Sequence, residues 1–174
     1  MIIKPGPLLA GDLMRYGNQP KNMPKFQYYY RRGQDAKRSI ARLFYFAVAK
    51  YYRRKRFIEL LPTLTAAPGL YFGHPYSIGI NPGSVLGRNV NVHKGVTIGQ
   101  ENRGRRKGCP TIGNDVWIGI NVVIVGKITI GDDVLISPNS FVNVDVPSHS
   151  VVYGNPCVIK HRDNATEGYI ENKV

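Results

Sequence analysis

Thr111–Ile136 reads TIGNDVWIGINVVIVGKITIGDDVLI and places an isoleucine at every sixth position: Ile112, Ile118, Ile124, Ile130 and Ile136. A second column runs two residues ahead of the first, through Val116, Val122, Ile128 and Val134. Residues i and i−2 of a strand point to one face, so each hexad supplies two inward side chains before a short turn starts the next. Three hexads close one triangular coil of about eighteen residues, and stacked coils bury continuous aliphatic ladders. Each buried Ile or Val contributes roughly 1.5–3 kcal/mol. The spacing predicts a parallel β-helix.

The rhythm extends both ways. Upstream it runs through Ile80, Leu86, Val92 and Ile98, with Ile78, Ser84, Val90 and Val96 in the second column; downstream it reaches Val142 and Ser140. Glycine often follows the first column, at Gly87, Gly99, Gly113, Gly119 and Gly131, which suits corners needing unusual backbone angles. The register breaks between Gln100 and Thr111, so the basic segment NRGRRKG (102–108) is expected to leave the prism as a loop. A fixed register held at this many positions identifies an internal repeat, of four or five coils between Pro62 and about Ile159.

Before Pro62 the period changes. Apolar residues at Ile40, Leu43, Phe44, Ala47, Val48 and Tyr51 predict one amphipathic helix over 35–57, its apolar side packed on the rest of the chain. A shorter helix is expected near Leu8–Tyr16, with the turn-rich GNQPKNMPK (17–25) extended between them. The chain thus divides into a helical region (1–58), a β-helix (59–160) and a polar tail (161–174).

Twenty-four Lys and Arg against 11 Asp and Glu leave a formal charge of +13, which implies anionic company. The run Arg31–Arg56 is interleaved with tyrosines, a pattern that can bind single-stranded nucleic acid. A solvated helix face backed by tyrosines accounts for it more simply. No nucleic acid is therefore expected, while peripheral contact with an anionic membrane surface stays open. No stretch of about 18 apolar residues would span a bilayer, and the N-terminus carries no secretory pattern. Cys109 and Cys157 form neither a disulfide framework nor a metal-ligand spacing. A cytoplasmic protein is expected.

One beat of the repeat is not aliphatic. Six residues before Ile80 stands His74, between Gly73 and Pro75, at a register that is inward or at a corner. An imidazole there costs stability unless hydrogen-bonded, and spacing alone leaves a structural and a functional histidine equally open. His93 follows inward Val92 and should point outward, where a neighbouring subunit could face it. His149 falls in the loop after the last coil and His161 in the basic end.

Three stretches carry a family resemblance: TIGNDVWIGINVVIVGKITIGDDVLI, DVPSHSVVYGNPCVIK (145–160) and LYFGHPYSIGINPGSVLGRNVNVHKGVTIG (70–99). They resemble the hexapeptide-repeat acyltransferases, and more narrowly the serine acetyltransferases and their relatives in bacterial polysaccharide gene clusters. The resemblance covers about residues 59–160. It implies an all-β main domain wound as a left-handed parallel β-helix, a homotrimer, acetyl-CoA as donor and no metal. It further implies O-acetylation of a hydroxyl on L-serine or a sugar, with His74 as general base and Glu59 as the carboxylate orienting its ring. A neutral imidazole near its ordinary pKa suits the task and contributes roughly 10²–10⁴-fold.

For the donor, the resemblance points to a groove between adjacent prisms. Gly99 and Gly119 would offer backbone contacts, Trp117 packing, and Lys160 with Arg105 or Arg106 would meet the phosphates. His93 and Cys109 fall on the acceptor side. Two positions depart from the family: Gly73 stands where an Asp helps to hold the serine amino group, and Cys109 where a His recognises serine. Two other readings compete. One is a zinc-dependent prism like the γ-carbonic anhydrases, for which His74 and His93 sit on adjacent coils without a third coil histidine. The other is a non-catalytic scaffold whose basic face binds an acidic partner.

Overall fold

The structure, a computed structural model, describes residues 4–174. Its main body is a parallel β-solenoid of about five turns, consistent with a left-handed β-helix. One face stacks β1 (Ile58–Leu60), β4 (Ile78–Ile80), β7 (Thr97–Gly99), β10 (Val123–Val125) and β13 (Phe141–Val142). A second stacks β2 (Thr65–Ala66), β5 (Val85–Leu86), β8 (Thr111–Ile112) and β11 (Thr129–Ile130). The third runs β3 (Tyr71–Gly73), β6 (Asn91–His93), β9 (Val116–Ile118), β12 (Val134–Ile136) and β14 (Ser150–Tyr153), closed by antiparallel β15 (Val158–His161).

Both columns face inward. From Ile80 to Val142 every member of the first is buried, and Ser84 and Ser140 are buried with the aliphatic members of the second. Ile98 pairs with Ile124 across an interval lengthened by the expected loop, which is pinned by an antiparallel bridge between Glu101 and Gly108. The corner glycines have a different physical cause from the one their position suggests. A side chain on Gly131 would lie 2.5 Å from the Ser148 nitrogen, and one on Gly119 2.8 Å from the Ile136 oxygen. Gly87, Gly113, Gly119 and Gly131 are small so that consecutive coils can stack closely, whereas Gly99 has room for a side chain. The left-handed corner positions belong instead to Asn89, Asp115, Asn121, Asp133 and Asn139, with φ of 53–61°; Asn and Asp tolerate that region best among residues with a side chain.

The helical region departs from expectation. α1 (Pro7–Arg15) is close to its expected place, but a second helix, α2 (Lys25–Asp35), occupies part of the interval before α3 (Ser39–Arg54). The run Arg31–Arg56 is therefore two helices separated by an extended link. α3 also turns the other way round from expectation. Ala49 is buried and Phe46 and Tyr52 pack on the core, whereas Ile40, Leu43, Phe44 and Tyr51 are exposed. The aromatic side competes better for the groove beside α2, stacking Tyr52 on Tyr29 at 6.0 Å and placing Phe46 beside Tyr30 at 6.2 Å.

A buried ion pair joins the helices to the first coil. Arg31 donates from Nε to Asp12 at 2.7 Å, both side chains being fully buried. Asp12 also accepts from the backbone of Gly69 and Leu70, and from Gln27. Arg31 reaches the carbonyls of Ala66 and Ala67. Arg15, likewise buried, donates to Asn91 and the Gly69 carbonyl. Two of the cations behind the formal charge thus serve internal structure. The polar C-terminal residues are not loose either: Thr166 bonds Asp133 and the Val174 amide bonds Asn89.

Candidate active site

Inward positions Leu60, Ala66 and Phe72 keep the six-residue beat, and the next member of that column, Ile80, comes eight later. Two extra residues therefore enlarge the corner between β3 and β4, and His74 falls in it. Phe72 fills the interior and pairs with Val92. His74 has φ +51° and Ser77 φ +53°, so the enlarged corner carries two left-handed residues. The Ser77 amide donates to the Arg56 carbonyl at 2.8 Å and holds it in place.

This corner exposes His74 and displays it in a groove of about 890 Å³ that it shares with Lys21, Lys25, Tyr52, Lys55, Arg56, Tyr71 and Tyr76. Among the described residues no carboxylate lines that groove, and no hydrogen bond engages the imidazole. The groove is cationic and aromatic, and its imidazole is free to meet a ligand.

Glu59 lies one face round the prism, in a separate groove of about 340 Å³ with Arg53, Gly79, Asn81, Thr97 and Gly99. No hydrogen bond joins it to His74 within one chain. Gly99 shares its groove, and Cys109 borders it, donating from Sγ to Asn81 Oδ1 at 3.3 Å. Glu59, Gly99 and Cys109 thus form one neighbourhood and His74 another.

His93 points out of the prism as expected, though not freely. Its Nδ1 lies 2.9 Å from the Ile118 carbonyl, an acceptor only, so Nδ1 carries the proton and Nε2 keeps its lone pair. Burial lowers its pKa; the Ile118 hydrogen bond opposes that and nearby His74 adds to it. His93 is a neutral acceptor beside His74. Its ring also lies where a residue-73 side chain would go: a Cβ on Gly73 would sit 2.5 Å from Nε2. The missing Asp is replaced in space by an imidazole.

The residues expected around the donor scatter. Trp117 points outward but is covered by the rings of His93 at 4.6 Å and Tyr169 at 5.1 Å. Gly119 is enclosed by the next coil. Arg106 pairs with Glu101 at 3.2 Å, while Arg105 is exposed on the loop. Lys160, exposed on β15, lies over the Tyr153 ring, five strands from β3 and therefore roughly 24 Å along the prism. Lys21, Lys25, Lys55 and Arg56 were not read as site residues, although the last two belong to the basic run Arg31–Arg56, because they flank the prism without belonging to its repeat. Among the described residues, no group of three His, Cys, Asp or Glu could hold a metal ion.

Residues 109–144 match the family described as bacterial transferase hexapeptide (six repeats). The serine acetyltransferase of Helicobacter pylori (strain ATCC 700392 / 26695) is 33% identical over 117 residues, covering 66% of this chain and 68% of that protein. Among solved structures, soybean serine acetyltransferase apoenzyme superposes with a TM-score of 0.70 at 23% identity, over 88% of this chain and 67% of the other. Neisseria gonorrhoeae serine acetyltransferase in complex with serine gives 0.65 at 25% identity, over 88% and 67%.

Proposed function

This chain belongs to the hexapeptide-repeat acyltransferases and is an O-acetyltransferase of serine acetyltransferase type; we propose that it moves acetyl from acetyl-CoA to an acceptor hydroxyl with His74 as general base. The observation that carries the reading is the enlarged corner, which presents an otherwise unengaged imidazole to a groove. His74 takes the hydroxyl proton as the oxygen attacks the thioester carbonyl. The tetrahedral intermediate collapses, the C–S bond breaks, and the imidazolium returns the proton to the leaving thiolate.

Glu59 is the carboxylate assigned to orient that ring once the substrates close the site, since catalytic hydrogen bonds are often long before substrates bind. Gly99 lies beside it, and Arg105 and Lys160 stand ready for donor phosphates. The reading includes a homotrimer whose neighbouring prisms bring the two grooves into one cleft. The acceptor is L-serine or a sugar. A cationic groove with no acid at residue 73 favours a phosphate-bearing sugar, because an amino acid's ammonium needs a carboxylate to receive it.

The test is thiol release from acetyl-CoA with L-serine, free sugars and nucleotide-linked sugars, for the wild type and His74→Ala. A fall of about 10²–10⁴-fold is expected, with the melting temperature unchanged because the side chain is exposed. A variant as fast as the wild type removes His74 from the mechanism.

A further inference from the structure

We infer that the outward side of α3 docks on an anionic lipid bilayer. At about 100° per residue, Ile40, Leu43, Phe44, Ala47 and Tyr51 fall on one stripe roughly 100° wide. That stripe faces solvent: Ile40 is 84% exposed, Leu43 70%, Phe44 61% and Tyr51 57%. The opposite side is already used, by Ala49 and the aromatic contacts to α2. Leu43 and Ala47 continue into an apolar groove of about 400 Å³ beside Leu61 and Pro62. Contiguous apolar surface of this kind on a soluble domain marks an interaction site.

Charge identifies the occupant. Lys50 and Arg54 border the stripe, Lys37 and Arg38 precede it, and no acidic residue occurs between Asp35 and Glu59. An apolar stripe edged with cations satisfies both halves of a bilayer interface: the apolar side chains enter below the headgroups, and the Lys and Arg stems reach back to the lipid phosphates. A second copy of the chain would bring the same cations against these. Sixteen residues of helix extend only about 24 Å, and none of the described helices is long and apolar enough to cross a membrane. α3 therefore lies in the plane of the surface. Tyr52 and Lys55, at its end, line the His74 groove, so that groove opens beside the docked helix.

Sedimentation of the whole chain with phosphatidylcholine vesicles, with and without phosphatidylserine, tests this. The wild type is expected to pellet with the anionic vesicles alone. Leu43→Glu with Phe44→Glu should weaken partitioning at least about tenfold, and Lys50→Glu or Arg54→Glu about fivefold or more each. Acetyl transfer in solution should be unchanged in the Leu43/Phe44 variant. Three results overturn the proposal: wild-type protein that stays in the supernatant, Leu43/Phe44 variants that pellet as well as wild type, or variants whose sedimentation velocity shows a broken assembly. The last would make the stripe a contact between copies of the chain.

Discussion

The prism and the helices in front of it are held together by opposite means. Inside the prism, aliphatic side chains repeat coil after coil, and each burial resembles the one before it. The helical region is secured to that prism by polar side chains buried once each: Asp12, Arg15, Gln27 and Arg31. It keeps a small apolar cluster of its own, Leu9, Leu13, Tyr16 and Met23, and sends Phe26 and Tyr30 into the main core, but leaves its longest apolar stripe outside. A repeated hydrophobic contact tolerates the loss of one member by degrees. A buried charge does not, because its partner stays behind unpaired.

The largest effect expected from that contrast comes from Asp12→Ala, which strands Arg31 and frees the Gly69 and Leu70 amides. It should cost about 3–5 kcal/mol. Hydrogen exchange should then show α1 and α2 opening ahead of the prism. If the variant melts in one transition with the prism, the two regions are a single cooperative unit and the contrast fails.

Next comes Ile124→Ala, in the middle of the stack, at about 2–5 kcal/mol. Here thermal unfolding should stay a single transition that takes the helices with it, since they rest on the first coil. Helices that persist after the prism has melted would reverse the dependence.

The smallest effect is at the other end of the chain. Burial pushes the Asp133 carboxyl up, but hydrogen bonds from the Thr166 side chain and amide, with His149 and Ala165, outweigh it and hold the pKa to about 2. A folded pKa below the ordinary 3.8 means the ionised form is the one stabilised. Its contribution is complete above about pH 4 and is lost as pH falls through about 2. Tyr169 of the same tail packs on Trp117, the single tryptophan, so tail release should change its emission within that window. Emission flat across it would mean that Asp133 does not anchor the tail.

Legibility in the sequence followed the same division. The columns from Ile80 to Val142 could be read because the period repeats, and the loop could be read because the period stops. His74 was conspicuous for breaking the beat, yet its place at a corner rather than inside depends on two extra residues that let Phe72 take the interior. Gly73 and His93 could be named singly. Their mutual exclusion is a contact between adjacent coils that neither residue reveals alone. α2 and the outward turn of α3 were missed because helical spacing shows that one side is apolar, not which side the neighbours will cover.

A period of six settles strand, turn and inward face together, because each residue's environment is copied from its neighbours on the stack; that much was carried by the chain as written. Which cations are internal, which side of α3 meets solvent and where the tail comes to rest were decided only on folding. Those outcomes rest on single pairs far apart in the chain, such as Asp12 with Arg31 or Asp133 with Thr166, and nothing periodic announces a contact made once.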